Sequence, residues 1–233
     1  MKMIKFSTLI AVCLMATCFA GEKVILEDDF NRGKDEDKLG NKWTVVGDAF
    51  LEGKTLKFDP YDQPNDTIVE QKFTEQKDGT FVLEFDFLWV REFEMSWSFY
   101  MQLGHSSKMP KKMDEETSRS EGIVVNTFWG GGDSGSVSEK VAVFGTIKDE
   151  KITTLRAIND IDEKSTMLKN PKIRIEVDMA KSVYHVTIDG KTYKDQAFDN
   201  SLPIDTVRFL THNASGGNFN KTSIDNVKIS KTK

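Results

Sequence analysis

The sequence contains little cysteine and little histidine, and each scarcity excludes a class of site. Its two cysteines, Cys13 and Cys18, both lie within the first twenty residues. If that segment is removed as a leader, the remaining chain has no disulfide bond and depends on its hydrophobic core for stability. The three histidines, His105, His185 and His212, are not part of a His-Glu-x-x-His pattern, so no zinc site of that type is predicted.

Two motifs of nucleophilic and phosphate chemistry are also missing. No Gly-x-Ser-x-Gly elbow is present, which argues against a Ser-His-Asp triad. The run Gly130–Gly132 lacks the Lys-Ser/Thr ending and the following helix of a phosphate-binding loop. We interpret this run as a turn, and we predict that Asp133 beside it contacts a ligand.

The first twenty residues have the features of a secretory signal peptide. Lys2 and Lys5 form a basic start, an apolar stretch follows, and small residues end the segment at Ala20. The apolar stretch is too short for a membrane span. We therefore predict a secreted or periplasmic protein, with lipoprotein anchoring at Cys18 as the less favoured alternative.

The rest of the chain, residues 21–233, has the length of one all-β domain. Without the leader, 30 rather than 32 basic residues remain against 37 acidic ones. Because nucleic acids and anionic membranes attract basic proteins, an acidic exported chain is a poor candidate for either partner.

Strand patterns with regular turn signals run through the whole domain. In Phe81–Phe93, FVLEFDFLWVREF, the odd positions are almost all aromatic or aliphatic, whereas two even positions carry Glu84 and Asp86. Near the C-terminus another alternating strand is followed by the hairpin signal Asp189-Gly190. Since no sustained helical periodicity or heptad occurs, we predict an all-β, two-sheet antiparallel jelly-roll sandwich.

Three C-terminal segments, KIRIEVDMAKSVYHVTIDGKTYKDQAF, IDTVRFLT and SIDNVKIS, resemble the closing half of a concanavalin A-like (laminin G-like) jelly roll. The opening DDFNRG…NKW resembles the start of such domains, including family 16 glucanases. This superfamily contains lectins, glycosidases, lyases and adhesion modules, so the resemblance implies the fold without selecting an activity.

Glu84 and Asp86 are the candidates for catalysis, because glycoside hydrolysis needs two carboxylates. They share one face of a strand, about 6.5–7 Å apart. Family 16 glucanases have a similar Glu-x-Asp-x-x-Glu strand, but the third carboxylate is missing here, where Leu88 and Trp89 stand. A solvent-facing pair is therefore the favoured interpretation, and a catalytic set of Glu84, Asp86 and His212 is the alternative.

The predicted ligand-binding residues are Trp97, Trp129, Asp133, His212 and Asn213. Aromatic rings at a sheet edge stack on sugar rings, although either tryptophan taken alone is more often part of a core. His212 and Asn213 end a predicted strand, and strand-end loops are where sandwiches place their sites.

The resemblance also implies a possible cofactor, because related jelly rolls often join the first and last strands through Ca²⁺. Asp28 or Asp29, together with Asp225, would supply the matching carboxylates, and backbone oxygens would complete the shell. The alternative is that Asp225 only caps the last strand.

Three functional hypotheses follow. The first is an exported, non-catalytic carbohydrate-binding or adhesion-type module, and the second is a glycoside hydrolase or polysaccharide lyase acting on an extracellular polysaccharide. A third is a structural module whose partner is another protein. Activity that depends on Glu84 would distinguish the second hypothesis from the others.

Overall fold

The computed structural model describes residues 22–32, 39–58, 67–91, 97–109, 122–131, 140–148, 151–158, 171–212 and 220–232. For residues 89–91, 97–98, 127–131, 140–148, 151–158, 212 and 220–221 it describes the backbone alone. The predicted leader, residues 1–20, lies outside the described residues.

The described residues form fifteen strands and no helix. The strands are β1 Lys23–Asp28, β2 Thr44–Val46, β3 Ala49–Glu52, β4 Thr55–Phe58, β5 Thr67–Gln76, β6 Thr80–Arg91, β7 Trp97–Gly104, β8 Ile123–Gly131, β9 Lys140–Lys148, β10 Lys151–Ile158, β11 Lys172–Asp178, β12 Val183–Ile188, β13 Lys191–Ala197, β14 Ile204–His212 and β15 Asn220–Lys231. This part of the chain also contains no helix of the length and apolar character that a membrane crossing requires.

The strands form two antiparallel sheets. Sheet A has eight strands in the order β13-β12-β11-β6-β15-β4-β3, with β1 also paired to β15. Sheet B has seven strands in the order β10-β9-β8-β7-β14-β5-β2. Neighbours such as β6 and β15, or β5 and β14, are far apart in sequence, so the chain passes repeatedly between the sheets. The predicted all-β, two-sheet antiparallel jelly-roll sandwich is confirmed.

The hydrophobic core lies between the sheets. From sheet A, the odd positions of β6 point inward, and Phe81, Phe85 and Phe87 are at most 3% exposed, as the alternating sequence predicted. Phe99 and Phe209 of sheet B are equally buried, and the ring centroids of Phe85 and Phe209 are 5.2 Å apart. Such aromatic pairs add about 0.5–1.5 kcal/mol to the free energy gained by burying their area.

The hairpin between β12 and β13 has the backbone that its sequence predicted. Asp189 has φ 48° and Gly190 has φ 78°. Both values lie in the left-handed region that this tight turn needs, and Asp and Gly are among the residues that adopt it most readily. This turn fixes the register of β12 and β13 at the edge of sheet A.

Candidate functional site

The outer face of sheet A is a solvated surface of ion pairs. Arg174 on β11 donates to Glu84 on β6 over 2.8 Å and to Glu176 over 3.2 Å. Each of these three side chains is about 40% exposed. Burial lowers the pKa of Arg174, but its bonds to Glu84 and Glu176 raise it, and the net shift is upward. Glu84 is thus part of a cross-strand charge network on the molecule's surface.

Asp86 lies one position further along the same face, beside a bulge in β15. The bulge interrupts the pairing of β15 with β6 between Asp225 and Lys228. Within it Asn226 has φ 51°, and its side-chain N–H donates to Asp86 Oδ2 over 2.7 Å. The bulge therefore holds the Asp225 and Asp86 carboxylates close to the end of β1.

Asp86 lines an open cavity of about 280 Å³ together with other carboxylates, among them Asp29 and Glu84, and with three cations, Lys172, Arg174 and Lys228. Burial raises the pKa of Asp225, the Asn226 backbone N–H lowers it, and the charges of Asp86, Asp29 and Asp28 raise it again. The net pKa is above the ordinary value. The structure thus brings the proposed metal carboxylates close to Glu84 and Asp86, whereas His212, the third member of the alternative catalytic set, lies on sheet B.

Asp28 has a structural role in the opening motif. Its side chain is nearly buried, and Oδ1 accepts from the Phe30 N–H over 2.9 Å. Oδ2 accepts from Trp43 Nε1 over 2.8 Å, from Asn41 Nδ2 over 3.1 Å, and from Arg32. Because four donors already occupy this carboxylate, Asp29 is the better cation ligand of the two aspartates.

The outer face of sheet B differs, because several polar side chains in its middle are buried. Arg208 on β14 is 1% exposed, and its Nε and Nη2 donate to Glu70 Oε2 on β5 over 3.0 and 2.7 Å. On β7, Gln102 pairs in register with Arg208 and is fully buried. In the next row, Tyr100 pairs with Asn126 on β8, and these residues are 6% and 3% exposed.

Three of the predicted ligand-binding residues lie at one end of sheet B. Trp97 and Trp129 are directly paired in the backbone of β7 and β8. His212 pairs with Ser98 of β7 on the other side. Three of the five residues therefore belong to three adjacent strands, while Asp133 and Asn213 lie outside the described residues. Contacts of these five with a ligand stay a prediction.

Sequence reasoning missed the polar set on sheet B, which consists of the buried Arg208, Gln102 and Asn126 and the partly buried Glu70. Glu70 and Arg208 are separated by 138 positions, so their pairing depends on the sheet order and not on any local motif. One signal was present in the sequence. The strand around Arg208 places a charged residue between Val207 and Phe209, both of which are fully buried.

No protein-family model and no curated protein sequence matches the chain. Its fold does match solved structures. A sialidase aligns at 15% identity with a TM-score of 0.61, over 90% of this chain but only 18% of its own length. The carbohydrate recognition domain of Emp47p aligns at 14% identity with a TM-score of 0.59, over 91% of this chain and 98% of that domain.

Lectin I-B4 from Griffonia simplicifolia is a third similar structure. It aligns at 14% identity with a TM-score of 0.51, over 82% of this chain and 94% of its own. Identities this low show a shared fold alone. The chain therefore has a jelly-roll sandwich fold similar to that of these lectin domains.

Proposed function

We propose that this chain is an exported, non-catalytic carbohydrate-binding module whose glycan site is at the end of the outer face of sheet B. The supporting observation is the composition of that face. Tyr100, Gln102, Asn126 and Arg208 form adjacent rows there, where an ordinary outer face would carry exposed charges. The carbohydrate recognition domain among the similar structures adds support at the level of the fold.

These side-chain types suit sugars. Amide and guanidinium groups present donors and acceptors in a fixed plane, which matches pairs of neighbouring hydroxyls. Aromatic rings bind the apolar face of a sugar ring at a low cost in conformational entropy. The four side chains named above are too buried to contact a sugar themselves, so we assign them the role of a rigid support for sugar-binding groups at the end of the face, and preorganisation of this kind lowers the entropic cost of binding.

We place the sugar contacts at the end of the face, since its middle is almost fully buried. β14 ends there at His212, and β7 begins at Trp97, whose backbone pairs with Trp129. Loops that follow the ends of strands are the usual place for binding residues on a sandwich. Asp133 and Asn213 come a few positions after β8 and β14, so this proposal includes them.

A glycan array with the purified protein tests the proposal, followed by affinity measurements for the best ligand. We expect binding to a defined polysaccharide, without release of shorter sugars, and a loss of at least about tenfold in affinity for His212→Ala. The matched control is His185→Ala, because His185 lies on sheet A, paired with Glu176 on its outer face. Absence of binding to every glycan, or equal affinities for the two variants, would contradict the proposal.

We include Ca²⁺ in the proposal, near Asp29 and Asp225 on sheet A. Ca²⁺ prefers six to eight oxygen ligands and tolerates irregular geometry. The residues fit such an ion, because the Asn226 side chain donates to Asp86 Oδ2 over 2.7 Å and to Asp225 Oδ2 over 3.3 Å, which holds these two carboxylates together beside the cavity that Asp29 lines. A bound Ca²⁺ would neutralise this charge and join the start of the chain to β15.

A second candidate function is glycoside hydrolysis or polysaccharide cleavage. The observation that favours it is that Glu84 and Asp86 both line the open cavity on sheet A. Glu84→Gln should then abolish the release of sugars from a polysaccharide while leaving the fold intact. Under the binding proposal, the wild-type protein releases no product, and the same substitution leaves glycan affinity unchanged.

A further inference from the structure

Three side chains of the types that bind metal ions lie close together at the end of sheet B opposite His212. Glu75 is near the end of β5, His105 directly follows β7, and Asp205 is near the start of β14. One ligand atom from each of the three lies within 4.8 Å of the other two. We propose that Glu75, His105 and Asp205 bind a divalent transition-metal ion of the Zn²⁺ type. This proposal does not rest on glycan binding.

The position of Asp205 is fixed before any ion arrives. Its Oδ1 accepts from the Ser106 N–H and from Thr206 Oγ1, both over 2.7 Å. Its Oδ2 accepts from Ser106 Oγ over 2.9 Å. A carboxylate oxygen has two lone pairs, so Oδ2 retains one for a metal. Outer-sphere hydrogen bonds of this kind orient the ligands in metal sites.

The His105 ring faces this carboxylate at a distance that suits a bridging ion. His105 Nε2 is 3.9 Å from Asp205 Oδ2, which is too far for a hydrogen bond. Two ligands at typical zinc distances and a tetrahedral angle are about 3.4 Å apart. A small adjustment of the two side chains would therefore allow one ion to bind both atoms.

The second ring nitrogen of His105 has its own partner. Nδ1 is 2.7 Å from Ser107 Oγ. Nδ1 also accepts from the Ser107 N–H over 3.2 Å, so metal binding at Nε2 requires the tautomer in which Nδ1 carries the ring proton and donates it to Ser107 Oγ in place of that bond. The Lys108 N–H donates to the His105 carbonyl over 2.9 Å and closes the turn that carries the histidine.

A glycine holds this turn against the sheet. Gly122 precedes β8 with φ 80°, and a Cβ at this position would lie 2.3 Å from the Leu103 carbonyl oxygen. Only glycine allows this close approach. The turn containing His105 is thereby supported by tightly packed backbone, which gives the ligand a defined position relative to β5 and β14.

A cavity of about 290 Å³ adjoins the site on the side of His105, with Lys108, Asp199 and Ser201 also in its lining. An ion can enter there, and water can complete the coordination shell. Glu75 is exposed, and its side chain contacts Lys77 over 3.0 Å, so it can turn toward an ion at little cost. One imidazole with two carboxylates favours Zn²⁺ or Mn²⁺ over Ca²⁺, which prefers oxygen ligands alone.

Zinc titration of chelator-treated protein tests the proposal by calorimetry and by NMR of the histidine side chains. The chain has three histidines, so single substitutions assign each imidazole signal. We expect Zn²⁺ to shift the His105 signal at one equivalent. His105→Ala and Glu75→Gln should each weaken binding by at least about tenfold. Bound Zn²⁺ should also raise the thermal midpoint of the wild type and not of His105→Ala.

The matched controls are His185→Ala and Glu176→Gln, because both residues lie on sheet A. We expect each control to bind Zn²⁺ as the wild type does. Equal affinity in wild type and His105→Ala, or a zinc-dependent shift of another histidine signal in place of His105, would overturn the proposal. His212→Ala, the glycan-site variant, should retain zinc binding, so failure of one proposal can be distinguished from failure of the other.

Discussion

The two sheets each carry a cross-strand glutamate–arginine pair on the outer face, and the two pairs differ in burial. Glu84 and Arg174 of sheet A are 41% and 39% exposed. Glu70 and Arg208 of sheet B are 18% and 1% exposed. The same chemistry therefore serves as a solvated surface on one side of the molecule and as a shielded polar layer on the other.

This difference changes what each pair contributes. An exposed ion pair is weakened by water and salt, and its net contribution is commonly between 0 and about 1 kcal/mol. A buried pair has lost its hydration, so each charge depends on its partner. A shielded polar layer is consequently rigid and costly to disturb. The outer face of sheet B is therefore the one in which loss of a single charged partner should cost more stability.

The largest expected effect comes from removing one charge from each pair. Glu70→Gln takes the carboxylate from a guanidinium that is 1% exposed, and we expect it to destabilise the protein by about 2–4 kcal/mol. Glu84→Gln leaves Arg174 in contact with Glu176 and with water, so its cost should stay below about 1 kcal/mol. Urea denaturation of the two variants measures both values.

If the two substitutions lowered the free energy of unfolding by the same amount, the proposed difference between the two faces would be wrong. High salt provides an independent control, because screening acts on exposed pairs far more than on buried ones. Wild type and Glu84→Gln should therefore become more alike in stability in high salt, while the deficit of Glu70→Gln should persist.

A smaller effect is expected at Asp205, on the rim of sheet B. Burial raises its pKa, but bonds from Thr206 and Ser106 and the charge of His105 lower it, and the net shift is downward. A carboxyl group with a lowered folded-state pKa adds stability above its unfolded pKa, near 3.9, and that stability is lost as the pH falls through the folded-state value.

Asp205→Asn should accordingly cost about 1–3 kcal/mol at pH 7, since it weakens three bonds to a charged acceptor. The cost should shrink in acid, where the wild-type carboxylate becomes protonated. Chemical denaturation at pH 7 and at about pH 3 provides the measurement. A deficit that is the same at both pH values would show that the charge of Asp205 is not its source.

Part of this picture could be predicted from the sequence. The alternating residues of Phe81–Phe93 predicted which side chains of the strand point inward. Such alternation can be read locally in the sequence, because a strand with one buried face needs an apolar residue at every second position. Asp189-Gly190 predicted the hairpin turn between β12 and β13. This signal is also local, since few residues adopt a positive φ. The jelly roll followed from many such local signals.

The buried polar layer could not be predicted in this way. Glu70 and Arg208 meet only because β5 and β14 are neighbours in sheet B, and no local pattern in the sequence indicates that strand order. Asp28 shows the converse case. The opening motif around Asp28 suggests a Ca²⁺ ligand. In the structure, however, the Asp28 carboxylate accepts four hydrogen bonds from residues up to 15 positions away, so its role is to hold the opening segment together.

The smallest expected effect is at Asp225 on sheet A, and it has the opposite sign. Burial and the charges of Asp86, Asp29 and Asp28 outweigh the Asn226 N–H and hold the pKa of Asp225 above its ordinary value. The folded state therefore binds the proton more tightly, so stability falls as the pH rises from about 4 through the folded-state pKa. At pH 7 in chelator, Asp225→Asn should stabilise the protein by about 0.5 kcal/mol.

Calcium sharpens this last prediction. An ion near Asp29 and Asp225 would neutralise the repelling charges, so Ca²⁺ should raise the thermal midpoint of the wild type. It should raise that of Asp225→Asn much less, and the order of the two midpoints should reverse between chelator and saturating Ca²⁺. Asp195→Asn is the control, because Asp195 is an exposed aspartate at the far edge of sheet A. If Ca²⁺ raises the thermal midpoints of all three proteins equally, the ion binds elsewhere. The charges around Asp225 then destabilise the folded protein without being neutralised by an ion.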